Sequence, residues 1–207
     1  TYLDAVFLSH ADLDHFNAVP TLLERFDVGV MYMPATMFHQ ESPAVRLLKH
    51  AIADRAIPLK TIAVPRQLLI GQSVRLTVLH PPAAGTGGSD NANSLVLMIE
   101  AAGRRILLPG DLESPGLEML LGKQALDCDV IMAPHHGSTH SDPRGFHAWT
   151  NPEWVVISGG SGEATIVKRA YSGPNTRVLH TAESGAIRVE IKKNRIHVQS
   201  WLDSPWK

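Results

Sequence analysis

Leu3-Asp4-Ala5-Val6-Phe7-Leu8-Ser9-His10-Ala11-Asp12-Leu13-Asp14-His15 is the stretch on which the reading of this sequence turns. Its first six residues are mostly apolar and read as a short buried strand. Two imidazoles and two carboxylates then follow, spaced only by Ala11 and Leu13. Burying four such groups without a cation or partners costs several kcal/mol, so a packed core is not their place. A solvated polar loop is the bland alternative. A metal site is favoured, because His and Asp are ligand types and sites are commonly built where strands end.

Two further segments repeat the pattern. Val130-Ile131-Met132-Ala133-Pro134-His135-His136-Gly137-Ser138 is again an apolar strand running into histidines. Ile106-Leu107-Leu108-Pro109-Gly110-Asp111 is a strand that delivers a carboxylate after a glycine. One such strand end would be weak evidence, whereas three can converge on one pocket.

Around these segments the chain alternates strands and helices. Residues 18–26 carry apolar positions at helical spacing, and Ser42-Pro43 reads as an N-cap with Pro at the first helical position, opening a helix to about residue 56. Strands are expected at 28–33, 61–64, 73–79 and 154–157, and a short helix at 117–121. Hairpins are expected at 95–108 and at 187–201, and residues 81–93, rich in Pro, Gly, Ser and Asn, read as a surface loop. The mixture points to a layered α/β fold in one domain covering residues 1–207.

Composition excludes several classes. Nineteen Lys and Arg against 20 Asp and Glu leave a net charge of −1, which argues against nucleic-acid binding by bulk positive charge. The single cysteine, Cys128, rules out an intrachain disulfide framework or a Cys-rich zinc module. No apolar run approaches the ~18 residues of a membrane helix. Gly159-Gly160-Ser161-Gly162 lacks the Lys of a P-loop and the spaced glycines of a dinucleotide fingerprint. Histidine is the count out of line, with eleven.

His10-x-Asp12-x-Asp14-His15 resembles the HxHxDH signature of the metallo-β-lactamase fold, with Asp at the second ligand position. Together with Asn93-Ser94-Leu95-Val96-Leu97, Gly110-Asp111, Pro134-His135-His136-Gly137-Ser138 and the run from His180 to Ile187, it is similar to the hydrolase domain of ComEC-type DNA-uptake competence proteins. The likeness extends over about residues 4–200. It implies an αββα sandwich with two divalent metal ions. His10 and Asp12 would hold the first, Asp14, His15 and His135 the second, and Asp111 would bridge them. His135 is preferred to His136 because it comes first after the strand, an order that leaves both open. The family's usual third-histidine segment is absent, so Asn93 or Ser94 is expected to face the first metal. A carboxylate in place of an imidazole shifts preference from zinc towards manganese.

The resemblance implies a phosphodiesterase or nuclease acting on single-stranded DNA by attack of a metal-held hydroxide. Asp14 and His140 are the catalytic candidates, His140 as acid for the leaving alkoxide, with Ser138 and Thr139 near a phosphate. Two alternatives stay open. One is a small-molecule ester, lactone or lactam hydrolase, and the other is a non-catalytic accessory domain with a degraded site. The implied partners are DNA and a membrane channel domain in a parent protein, with an extracytoplasmic location in that case and a cytoplasmic one otherwise. His180 is a further candidate to line the pocket, because it ends another strand. The ligand motif starts at residue 10, so the fold is expected to lack part of its N-terminal sheet and to show open strand edges or exposed apolar surface there.

Overall fold

The computed structural model describes residues 1–162 and 164–206. Strands β1 (Tyr2–Leu3) and β2 (Val6–Phe7) lead to α1 (Leu13–Phe16) and α2 (Val19–Arg25), followed by β3 (Asp27–Val28), β4 (Met31–Met33), α3 (Pro43–Asp54) and β5 (Leu59–Thr61). Four strands come next: β6 (Arg66–Ile70), β7 (Val74–His80), β8 (Val96–Ala101) and β9 (Arg104–Leu108). Helices and strands then alternate through α4 (Gly116–Leu121), β10 (Val130–Met132), α5 (Pro143–Thr150), β11 (Trp154–Ile157), α6 (Ala164–Ala170) and β12 (Arg177–His180). The chain closes with α7 (Thr181–Ser184) and the hairpin of β13 (Ile187–Lys192) and β14 (Arg195–Ser200). No helix among the described residues is long and apolar enough to cross a membrane.

The elements stack as helix, sheet, sheet, helix, as expected. A seven-stranded sheet runs in the order β12-β11-β10-β9-β8-β7-β6, parallel from β9 to β12 and antiparallel from β6 to β9. Its neighbour is a parallel three-stranded sheet, β2-β4-β5. Strand alternation explains the layering. In β8, Val96 and Met98 face a core shared with Leu117 and Leu120 of α4 and Phe146 and Trp149 of α5. Leu97, with Leu95 just before the strand, faces the other way, into a small core between the sheets that Phe7, Tyr32 and Val78 complete. Met31 and Met33 point outward to a third core under α2 and α3.

Local sequence accounts for the helices. Ser42 Oγ accepts the Val45 N–H at 3.1 Å, Pro43 opens α3, and Val45, Leu48 and Ile52 bury its inner stripe. Of the strand expected at 61–64 only Thr61 lies in a strand, the end of β5, and residues 62–64 belong to the connection to β6. β6 escapes a pattern reading because Leu69 and Ile70 are both exposed, so no alternation marks it. The three-stranded sheet is built of strands of two or three residues, and β2 forms one of its edges. A cleft of about 700 Å³ opens beside that edge, lined by Tyr2, Phe7, Leu69 and Ile70.

The pairing directions place the site. β9 to β12 are parallel, so their C-terminal ends, leading to Asp111, the His135–His136 pair, Ser158 and His180, share one edge. β8 runs antiparallel to β9, which brings its first end, with Asn93 and Ser94, to that same edge. The backbone then ties the segments together. Leu95 N–H donates to Ser9 O at 2.8 Å, and His135 N–H donates to Gly110 O at 3.1 Å.

Candidate metal centre

One ligand atom each from Asp14, His15, Asp111 and His136 lies within 4.8 Å of the others. Asp111 is the hub. Its Oδ1 is 3.2 Å from His15 Nε2 and its Oδ2 is 3.4 Å from His136 Nε2. Asp14 Oδ2 reaches the same two imidazoles, at 3.6 Å and 3.5 Å. His10 and Asp12 form an adjoining pair, 3.7 Å apart, and the His10 and His15 rings lie 4.1 Å apart between centroids. The structure thus brings together five of the six residues expected from sequence as ligands, in two neighbouring groups.

The sixth, His135, lies at the back. Its Nε2 is 4.0 Å from Asp111 Oδ2, and its Nδ1 is 3.5 Å from Glu113 Oε2. The geometry brings His136 into the tight group in its place, and the backbone explains why. His135, His136 and Gly137 have φ of 47°, 54° and 85°, three left-handed residues in succession. Such a turn costs an L residue on the order of 1–2 kcal/mol and swings the second imidazole forward. An order-based preference for the first histidine assumes an extended exit from the strand. Gly137 is required here, since a Cβ would meet Val167 Cγ1 at 2.1 Å.

The backing of each imidazole follows from partners remote in sequence. His136 Nδ1–H donates to the Ser158 carbonyl at 2.8 Å, which leaves the Nε2 lone pair facing Asp14 and Asp111. Ser9 Oγ lies 3.0 Å from His10 Nδ1 and 3.1 Å from His15 Nδ1. Ser94 Oγ lies 3.2 Å from His10 Nδ1 and accepts the Asp111 N–H at 3.1 Å. Ser94, of the two residues expected to replace the missing histidine, therefore turns to the site, behind His10. Asn93 turns away into the preceding loop: its Oδ1 accepts Thr86 N–H at 2.8 Å and its Nδ2 donates to Ser89 O at 3.0 Å. Ser158 and Glu113 carried no signal in the sequence, since a backbone carbonyl and a lone glutamate belong to no motif.

Electrostatics agree with a cation-seeking cluster. Burial, and then the charge of His15, push the His10 pKa down to about 4. Burial also opposes charge on His15, but the contact with Asp111 and the charges of Asp111 and Asp14 outweigh it and raise its pKa. Burial would raise the Asp111 pKa, but His15 and then His136 hold it below the usual carboxylate range. Burial and the neighbouring carboxylates Asp90 and Asp14 raise that of Asp12.

The donor set fits divalent cations. The buried nitrogens His10 Nε2 and His135 Nδ1 have no hydrogen-bond partner among the described residues, a costly state that a cation relieves, and His15 Nε2 has only the Asp111 carboxylate, 3.2 Å away. Two clefts meet at His136. One, of about 440 Å³, is walled by Phe7, Leu95, Leu97, Leu108 and Met132. The other, of about 430 Å³, lies between Ser138, Thr139 and the glycine loop at 159–162. His140 is exposed in the turn Thr139–Ser141 and lines neither cleft.

Comparison with known proteins bears on the family. The metallo-beta-lactamase superfamily model matches residues 3–148. ComE operon protein 3 of Bacillus subtilis is 28% identical over 188 residues, covering 90% of this chain and 23% of that protein. Recombination protein 2 of Haemophilus influenzae is 24% identical over 212 residues, covering 99% of this chain and 24% of that protein. The chain thus spans about a quarter of the length of these relatives. Among solved structures, zinc-bound PqqB from Methylobacterium extorquens aligns with a TM-score of 0.44 at 19% identity, over 62% of this chain and 44% of that one. With its ligand motif, its layered fold and its likeness to ComEC-type competence proteins, the chain belongs to the metallo-beta-lactamase superfamily.

Proposed function

We propose that residues 1–207 form one hydrolase domain, a metal-dependent phosphodiesterase that cleaves single-stranded DNA during its uptake. The observation that carries this reading is the carboxylate-rich group of Asp14, His15, Asp111 and His136, set where two clefts meet. A diester has a substituent on each side of its phosphorus, and a centre flanked by two clefts suits it. The likeness to competence proteins supports the DNA-uptake context, and a membrane channel domain in a longer protein belongs to the same proposal.

In this proposal Asp14, His15, Asp111 and His136 would hold one divalent cation, and His10 and Asp12, beside Asp111, would hold a second. Bound there, the cations supply Lewis acidity and a more acidic water. Carboxylates contribute half of the tight group, which favours manganese over zinc. Asp14, the most exposed of the group, orients the attacking water from the open side. Asp111, buried between His15 and His136, fixes the spacing of the two groups. The sequence-based proposal of His140 as acid for the leaving alkoxide gains no support from its place outside both clefts, and unchanged turnover of His140→Ala would remove it from the mechanism.

The apolar lining of the cleft at Phe7 and Met132 favours a second reading, hydrolysis of a small apolar ester or lactone. The test is a direct comparison. Protein loaded with manganese is expected to release nucleotides from labelled single-stranded DNA, and chelation is expected to abolish it. Hydrolysis of a chromogenic lactam or lactone without cleavage of DNA would overturn the nuclease reading. Failure to retain manganese or zinc would overturn both.

A further inference from the structure

His180, at the end of β12, is 2% exposed and belongs to neither metal group. Its Nδ1 accepts the Ala182 N–H at 3.1 Å and caps α7. That bond fixes the tautomer of the neutral ring, so the proton sits on Nε2. Nε2–H meets no hydrogen-bond acceptor among the described residues. It faces the space left by the absent side chain of Gly159, where a Cβ would come within 3.5 Å of Nε2 and 3.8 Å of the His136 Cβ. Gly159 is held in place by Thr181, whose Oγ1 accepts the Gly159 N–H at 3.1 Å. The structure therefore presents one ring N–H donor, on a residue only 2% exposed, at the floor of the second cleft, one side chain away from His136.

The rest of that cleft has a consistent character. Ile166 and Val167 of α6 wall one side, and Ile166 is 69% exposed although its neighbours are apolar. Ser138 and Thr139 stand at the polar rim. A flat ring fits against the apolar wall, the rim suits phosphate or sugar oxygens, and a volume of about 430 Å³ is that of a small-ligand site. An occupant in contact with His136 is also contiguous with whatever group lies over the metal centre.

We infer that this cleft binds the nucleobase next to the scissile phosphate, and that His180 Nε2–H donates to a carbonyl oxygen of that base. The inference rests on the phosphodiesterase reading and adds a base preference to it. Thymine, cytosine and guanine each carry a ring carbonyl oxygen, whereas adenine carries none. With adenine in the cleft the His180 donor stays buried and unpaired, which is the costly arrangement.

The test compares oligo-dT with oligo-dA, using the wild type and His180→Asn. Asparagine keeps an oxygen to cap Ala182 but is too short to reach the cleft, so it separates the capping role from the proposed one. The wild type is expected to favour oligo-dT by about tenfold in kcat/KM, the worth of one buried hydrogen bond. His180→Asn is expected to bring that ratio close to one, with its metal content and melting temperature unchanged. Equal use of the two substrates by the wild type, or a preference that survives the substitution, overturns the inference. Loss of metal from His180→Asn overturns it too, since it would place His180 in the metal centre. A binding measurement keeps this separate from the phosphodiesterase reading. dTMP, but not dAMP, is expected to shift the His180 imidazole nitrogen signal in NMR spectra even if no diester is turned over. No shift with dTMP would overturn base recognition whatever the catalytic outcome.

Discussion

The two halves of the metal centre are built from different materials. His136 is backed by a carbonyl, that of Ser158, and a carbonyl only accepts. Its Nδ1 must carry the proton, and its Nε2 is committed to the cluster before any cation arrives. His10 is backed by two hydroxyls, Ser9 and Ser94, which donate or accept with equal ease. Its ring nitrogen is buried and unpartnered, and its neighbour Asp12 is 46% exposed and 3.7 Å away. His15 shares the Ser9 hydroxyl but keeps its Nε2 3.2 Å from Asp111 Oδ1, so the Asp14–His15–Asp111–His136 group is preorganised through Asp111 and His136, while the His10–Asp12 pair adapts. Preorganisation saves reorganisation on binding, so the first is expected to hold its cation more tightly.

The largest effect is expected from removing Asp111, which the two halves share. Asp111→Asn is expected to empty both groups and to lower turnover by about 1,000-fold, measured by metal content and single-turnover cleavage. Retention of two cations by this variant would show that Asp111 bridges nothing. Next in size is the contrast between neighbouring histidines. His136→Ala is expected to weaken the tight group by about 100-fold in metal affinity and His135→Ala by about threefold, read by calorimetry. The reverse ranking would return the ligand role to His135.

Ser94→Ala sharpens the comparison from the adaptable side. Loss of its hydroxyl is expected to weaken only the looser cation, by about tenfold, because Ser94 backs His10 and not His136. Equal weakening of both sites would mean that the lost Asp111 N–H contact dominates instead.

The smallest effect concerns the loop that delivers Ser94. His80 Nε2–H donates to Ala92 O at 2.9 Å, and burial lowers the His80 pKa, so the ring is neutral in the fold. Unfolded, the same ring takes its proton near pH 6.5. Between those values the unfolded chain binds more protons, so this contribution to stability is complete above about pH 6.5 and is lost as pH falls through the folded value. Denaturant unfolding of the metal-free protein from pH 8 to pH 5 is expected to show this loss, and His80→Gln is expected to reduce it, leaving the part that His10 contributes. An unchanged slope would assign it elsewhere.

Much of this centre was legible from residues 9–15, 106–111 and 130–138, because each is an apolar run that stops at a ligand-type side chain. The hairpins β8–β9 and β13–β14 were legible for a similar reason, from alternation around a glycine or an Asn turn. The loop at 81–93 was only half legible. It reads as surface, yet Ala92 and Asn93 are buried, since their polar groups are satisfied by Thr86 and by His80. β6 was not legible, because an edge strand with exposed Leu69 and Ile70 has no face to alternate.

Residue types and their local order point to a metal centre, place its candidate ligands at strand ends and set two sheets between helices. Those properties depend on side-chain chemistry and on a two-residue period, which are written along the chain. Which imidazole faces the cations depends on left-handed backbone at His135 and His136, held by packing against Val167. What backs each ring depends on Ser158, Ser94 and Glu113, brought near only by strand pairing. Orientation is a matter of contacts between distant segments, and the order of residues does not carry it.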